Sequence, residues 1–328
     1  VPPRRLIVPF VLLVGLLLTA CSSAEPAAPA PSAEPVTITH LFGTTTIPAP
    51  PTRVVTLGVT DADAALALGT TPVALTGYAF YRSAGGLGPW ARPLVRGDQP
   101  VLLESDSQPN LEQIAGLRPD LIIGINAGFD RSVYEKLSAI APTIARPEGT
   151  AAYAVPRSDA TRVIAQALGK PAEGEELIRK ADDAYAAAVA ANPGFRGKVG
   201  TVVLPYDGKY GAYTPGDARG QVMAGLGFTL PQGVAALDTG ERFFVEVAPE
   251  QAGILDGDVL VMLADQPAAR STVDGDAVLQ QVPVVADGRM LVPDTDTRGA
   301  MTYNSVLSVP YALDHLVPQL SAALATQA

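Results

Sequence analysis

NLEQIAGLRPDLIIGI (110–125) aligns without gaps with APEQAGILDGDVLVML (248–263). Glu112 meets Glu250, Gln113 meets Gln251 and Asp120 meets Asp258, at a constant offset of 138 (250 − 112 and 258 − 120). Asn110 is a good helix N-cap, with a Gln three residues on. In each stretch the helix leads to five apolar residues, Leu121–Ile125 and Val259–Leu263. Such runs suit strands of a parallel sheet covered on both faces. The same unit at corresponding places implies two lobes of like fold.

The segments around these stretches alternate in the same way. RVVTLG (53–58) reads as a buried strand, residues 61–68 as a helix stopped by Gly69, and 72–75 as a second strand. Helices follow at 131–140, 221–226, 249–255 and 309–323, with strands at 199–204 and 290–292. The fold class is therefore α/β with mostly parallel sheets. A helix over 161–168 and PAEGEELIRKADDAYAAAVAA (171–191) separate the lobes. The second has Pro in its first turn, early acids and many alanines, and forms a single long linking helix. One stiff helix between lobes limits hinge motion.

Arg4 and Arg5 precede an apolar run, Leu6–Leu18, and then LTAC (18–21) with the single cysteine of the chain. The run is short of the roughly 20 residues that span a bilayer and has the form of a signal segment. SSAEPAAPAPSAEP (22–35) lacks an apolar period and reads as an extended tether. The expected organisation is a signal peptide (1–20), Cys21 with a flexible tether (21–50), an N-terminal lobe (51–156), the linking helix (157–193) and a C-terminal lobe (194–328). Removing Arg4 and Arg5 takes the formal charge from -10 to near -12 (−10 − 2). That acidity disfavours nucleic acid. A lone cysteine excludes an internal disulfide, and His40 and His315 are too few for a His-rich metal cage. No G-x-S-x-G, P-loop or dinucleotide fingerprint is present, so an enzyme is not indicated.

The LTAC junction resembles the lipobox of bacterial lipoproteins, which implies cleavage before Cys21 and a lipidated Cys21. The chain as a whole resembles the cluster III substrate-binding lipoproteins of ABC importers, of the iron-siderophore and ferric-citrate (FecB/FhuD-like) type. The resemblance rests on RVVTLGVTDADAALALGTTPVAL (53–75), QPNLEQIAGLRPDLIIG (108–124), YEKLSAIAPTI (134–144), VAPEQAGILDGDVLVML (247–263) and LSVPYALDHLVPQL (307–320). It implies two Rossmann-like lobes joined by a single long helix, with a ligand cleft between them, in a monomeric, lipid-anchored extracytoplasmic receptor that delivers a ferric siderophore to an ABC permease dimer. It implies no cofactor, the iron chelate being the ligand. It also implies permease docking through one surface glutamate per lobe, here Glu112 and Glu250. Ala248 departs from the pattern, where relatives often carry a Ser as helix cap. Receptors for haem, cobalamin or another chelate share the frame, and a sensory or partner-binding lipoprotein without transport is the reading from another class.

Ligands of open α/β sheets sit beyond the carboxyl ends of the strands. The loops so selected hold most of the aromatic residues, together with several arginines. Tyr78, Tyr81, Trp90 and Phe129 are the candidates for the first wall of a cleft. Tyr206, Tyr210, Tyr213, Arg242, Phe243, Arg298 and Tyr303 are the candidates for the second. Aromatic faces with a few cations suit a large, partly apolar chelate.

Overall fold

The computed structural model describes residue 1 and residues 34–240 and 242–326. Cys21, the rest of the expected signal peptide and the tether up to residue 33 lie outside the described residues. The tether expected to reach residue 50 is corrected by a hairpin. Strands β1 (Val36–His40) and β2 (Gly43–Ile47) pair antiparallel, with Ile38 opposite Thr45. Alternation along VTITH and GTTTI puts Ile38, His40, Thr45 and Ile47 on one buried face. Ile38 and Ile47 join the core of the first lobe. Thr45 Oγ1 donates to the Thr143 carbonyl at 2.7 Å, and His40 Nε2 lies 2.9 Å from the same hydroxyl. Burial holds the His40 ring below its ordinary pKa.

The first lobe comprises β3 (Val54–Thr56), α1 (Asp61–Ala67), β4 (Ala74–Leu75), β5 (Val101–Leu102), α2 (Leu111–Gly116), β6 (Leu121–Gly124), α3 (Arg131–Ser138) and β7 (Thr143–Ala145). Its sheet is parallel throughout, in the order β5-β4-β3-β6-β7. Every residue of β3 and β6 is buried, as the apolar runs require. The Asn110 side chain caps α2 by accepting from Gln113 N at 3.0 Å. Asp120 accepts from Thr52 N and Arg53 N at 2.7 and 2.8 Å, which fixes the entry of β3 beside β6.

Helices α4 (Arg157–Ala167) and α5 (Pro171–Ala191) link the lobes. Ile164 of α4 lies in the first core, and Ile178 and Ala181 of α5 lie in the second. Gly174 allows the pair to approach closely, because a Cβ there would fall 2.3 Å from that of Ala165.

The second lobe begins with β8 (Gly200–Tyr206), β9 (Lys209–Tyr213), α6 (Ala218–Gly225), α7 (Gln232–Leu237) and β10 (Phe244–Val247). It continues through β11 (Val259–Met262), α8 (Pro267–Gly275), α9 (Pro283–Ala286), β12 (Met290–Leu291), α10 (Thr295–Tyr303) and α11 (Ser308–Ala325). Sheet order is β10-β9-β8-β11-β12. Strands β8, β11 and β12 are parallel, but β9 runs antiparallel to both neighbours. The repeated unit has the same construction as in the first lobe. Asp258 accepts from Val199 N at 2.7 Å and so fixes the entry of β8 beside β11, as Asp120 does for β3. The helix expected over 249–255 is a 3-10 segment, and Ala248 supplies no side-chain cap to it. Among the described residues no helix is long and apolar enough to cross a membrane.

Candidate functional site

A cavity of about 330 Å³ lies between the lobes. The first lobe reaches it from the carboxyl ends of its strands, through Thr60 and Asp61 after β3, Tyr78 after β4 and Asn126 after β6. Arg157, at the start of α4, adds a guanidinium. The second lobe contributes Asp217 and Arg219 at the start of α6, Gln221, Phe243 before β10, and Tyr303 and Asn304 at the end of α10. A cavity of this size, with mixed aromatic and polar walls, suits capture of a small molecule.

The polar groups of the cavity are held in place. The Asp61 carboxylate is buried and accepts from Ile125 N at 2.7 Å and Asn126 N at 3.1 Å. Burial pushes its pKa up to about 6 against those hydrogen bonds. Asn126 donates through Nδ2 to Thr60 Oγ1 at 3.0 Å. Arg219 forks onto Asp217, with Nε to Oδ1 and Nη2 to Oδ2 both 2.7 Å, and lies 3.8 Å above the Tyr213 ring. Arg157 donates to Asn304 Oδ1 at 3.1 Å and to Asp182 at 2.8 Å. Its buried Nε has no partner among the described residues. Burial raises the Tyr78 phenol to about 12, so it stays protonated and able to donate. Tyr153 Oη donates to Asp106 at 2.7 Å.

One side of the cavity is closed by contacts between the lobes. Tyr303 Oη donates to the Gly86 carbonyl at 2.7 Å, and Tyr81 Oη donates to Asp296 at 3.0 Å. Trp90 Nε1 and Ser305 Oγ both donate to Asp63 Oδ2, at 2.7 and 2.5 Å. Gly299 of α10 makes room for Tyr81, since a Cβ there would fall 2.3 Å from the phenol oxygen. Burial raises the Asp63 pKa to about 6, the donated bonds opposing it.

Of the residues expected to form the walls, Tyr78, Phe243 and Tyr303 line the cavity. Tyr81 and Trp90 instead pack between the lobes behind Tyr303, with Trp90 5.3 Å from that ring. Phe129 is buried in the first core, in the space that Gly124 leaves; a Cβ there would fall 2.3 Å from the ring. Tyr213 supports Arg219 from behind. Arg298 is paired with Asp265 at 2.5 Å, and Arg242 with Glu246 at 3.4 Å. Tyr206 and Tyr210 line a different cavity, of about 230 Å³, beside Pro249 and Asp276. The reason is topological. Because β9 is antiparallel to β8, the loop after Tyr213 returns to the amino end of β8, where Thr201 Oγ1 lies 3.5 Å from Tyr213 O. The carboxyl-end rule therefore selects the wrong loop in this lobe. Arg157, Asp217 and Arg219 were not anticipated, although Asp217 directly before a helix was a readable cap. Glu112 and Glu250 are exposed, line neither cavity, and carry no ion pair among the described residues. No three His, Cys, Asp or Glu side chains gather as metal ligands among the described residues.

A sequence model described as periplasmic binding protein matches residues 54–292. The putative ABC transporter substrate-binding lipoprotein YhfQ of Bacillus subtilis (strain 168) is 37% identical over 183 residues, 53% of this chain and 52% of that protein. The match thus spans about half of that relative's length. The probable siderophore-binding lipoprotein YfiY of the same organism is 32% identical over 230 residues, 68% of this chain and 67% of that one. The crystal structure of a periplasmic solute binding protein from Mycobacterium smegmatis str. MC2 155 superposes with a TM-score of 0.80 at 35% identity, covering 88% of this chain and 99% of that one. Two lobes around one cavity, together with a match through both sheets, mean that the chain belongs to the periplasmic binding protein family, whose members bind substrates and are not enzymes.

Proposed function

We propose that this chain is a lipid-anchored extracytoplasmic receptor that binds a ferric siderophore and hands it to an ABC importer. The observation that carries the reading is the cavity between the lobes, where Tyr78, Phe243 and Tyr303 face Arg157 and Arg219. Aromatic faces suit the apolar body of a chelate, and guanidinium groups suit its metal-bound oxygens. The similarity to a relative named as a probable siderophore-binding lipoprotein supports the same class of ligand. The LTAC junction at 18–21 supports anchoring through Cys21, with the folded part held outside the membrane. Glu112 and Glu250 are the proposed contacts with the two permease subunits, and the receptor acts as a monomer.

The direct test is calorimetric titration of the purified chain with a panel of ferric siderophores, haem and cobalamin. A ferric siderophore binds with a dissociation constant of about 1 µM or tighter. Arg219→Ala, which removes a lining cation, weakens that binding at least about tenfold. Binding of haem or cobalamin with no response to any siderophore would overturn the proposed ligand.

A further inference from the structure

The charge balance of the cavity identifies a class of chelate. Among the described residues, the ionisable side chains that line it are Asp61, Asp217, Arg157 and Arg219, apart from phenols. Their formal charges cancel. Both cations are also committed: Arg219 is forked onto Asp217 and Arg157 is paired with Asp182. Arg242, the neighbour of Phe243 at the cavity wall, is held by Glu246. The carboxylates one hydrogen bond behind the lining, Asp63 on Ser305, Asp106 on Tyr153 and Asp182 on Arg157, add further negative charge.

An anionic chelate entering this space would lose its hydration and find no uncompensated cation among the described residues. Buried charge without a partner is strongly disfavoured, and breaking Arg219 from Asp217 would strand a carboxylate. The site nevertheless keeps donors for oxygens that bear no net charge. Arg219 leaves Nη1 outside its fork onto Asp217, and the lining Tyr78 phenol remains protonated. We infer that the cavity selects ferric chelates that are neutral or singly positive, of the hydroxamate kind, and discriminates against multiply anionic catecholate and carboxylate chelates. This rests on the receptor reading above and narrows its ligand.

The test is calorimetry on the chain at neutral pH with three probes: neutral ferrichrome, singly positive ferrioxamine B and triply negative ferric enterobactin. The better of the first two binds at least about a hundredfold tighter than the third. Asp217→Asn keeps an oxygen that can cap α6 while freeing the charge of Arg219, and it narrows that gap about tenfold. Ferric enterobactin binding within tenfold of ferrichrome and ferrioxamine B, or more tightly, overturns the charge selection and leaves the receptor reading standing. A gap unmoved by Asp217→Asn overturns the assignment of selectivity to these pairs. No binding of any of the three overturns the receptor reading, and this inference with it.

Discussion

Asp63 is a fully buried carboxylate at the contact between the lobes, with Oδ1 unpartnered among the described residues and Oδ2 taking both donated hydrogen bonds. Its pKa rises from 3.8 to about 6 on folding, chiefly through burial. Between those values the folded chain retains a proton that the unfolded chain releases. Its contribution to stability is therefore greatest at acid pH and is lost as pH rises through about 6. The full shift corresponds to about 3 kcal/mol. Asp63→Asn keeps an acceptor for Trp90 and Ser305 but carries no charge. The variant should gain on the wild type by up to about 3 kcal/mol between pH 4 and pH 7, measured by chemical denaturation. A difference constant across that range would contradict the assignment. Single residues were the least legible scale. Phe129 read as a cleft aromatic because it follows a strand, yet the absent side chain of Gly124 draws its ring into the core. Arg157 and Arg219 open helices, and nothing local in the sequence distinguishes a guanidinium facing a cavity from one facing water.

At the scale of elements, apolar runs were reliable where burial on both faces left one solution. The strands at 121–124 and 259–262 are completely buried, and each is preceded by an aspartate that fixes its neighbour's entry. The hairpin at 36–47 shows the opposite case. Its period-two alternation is present, but threonines dominate it and the adjoining Ala/Pro/Ser composition extended the tether across it. Strand β9 was hidden altogether, since KYGAY (209–213) carries no apolar run of the kind that marks the buried strands. The hairpin has a measurable consequence. Ile47 is 2% exposed and packs with Ile38, Val54 and Ile164 in the first core. Ile47→Ala should cost about 3 kcal/mol of unfolding free energy. Thr46→Ala, on the exposed face of the same strand, should cost under about 1 kcal/mol. Equal effects in denaturant titrations would mean that the hairpin is not part of the core.

At the scale of the whole molecule, the internal repeat places Glu112 and Glu250 at equivalent points of two lobes, each in the first turn of the helical segment before a central strand. The simplest account of an acid there is the helix dipole, worth about 0.3–1 kcal/mol. That account is thin here. The segments have six and seven residues, and the second is a 3-10 turn, so little dipole accumulates. Both carboxylates are exposed and lack ion pairs among the described residues, so neither holds its own lobe together. Neither lines the cavity between the lobes, so neither is positioned to touch a ligand there. Two pseudo-symmetric acids with no internal task match a partner built from two like subunits, which is the form of an ABC permease. Glu112→Ala combined with Glu250→Ala should therefore leave siderophore affinity unchanged and shift Tm by less than about 2 °C. Uptake of radiolabelled ferric siderophore by cells carrying the double variant should fall at least about tenfold, with each single variant intermediate. Full uptake by the double variant would rule out docking through these residues. Reduced uptake accompanied by lost affinity or a large fall in Tm would assign them to the receptor's own structure instead.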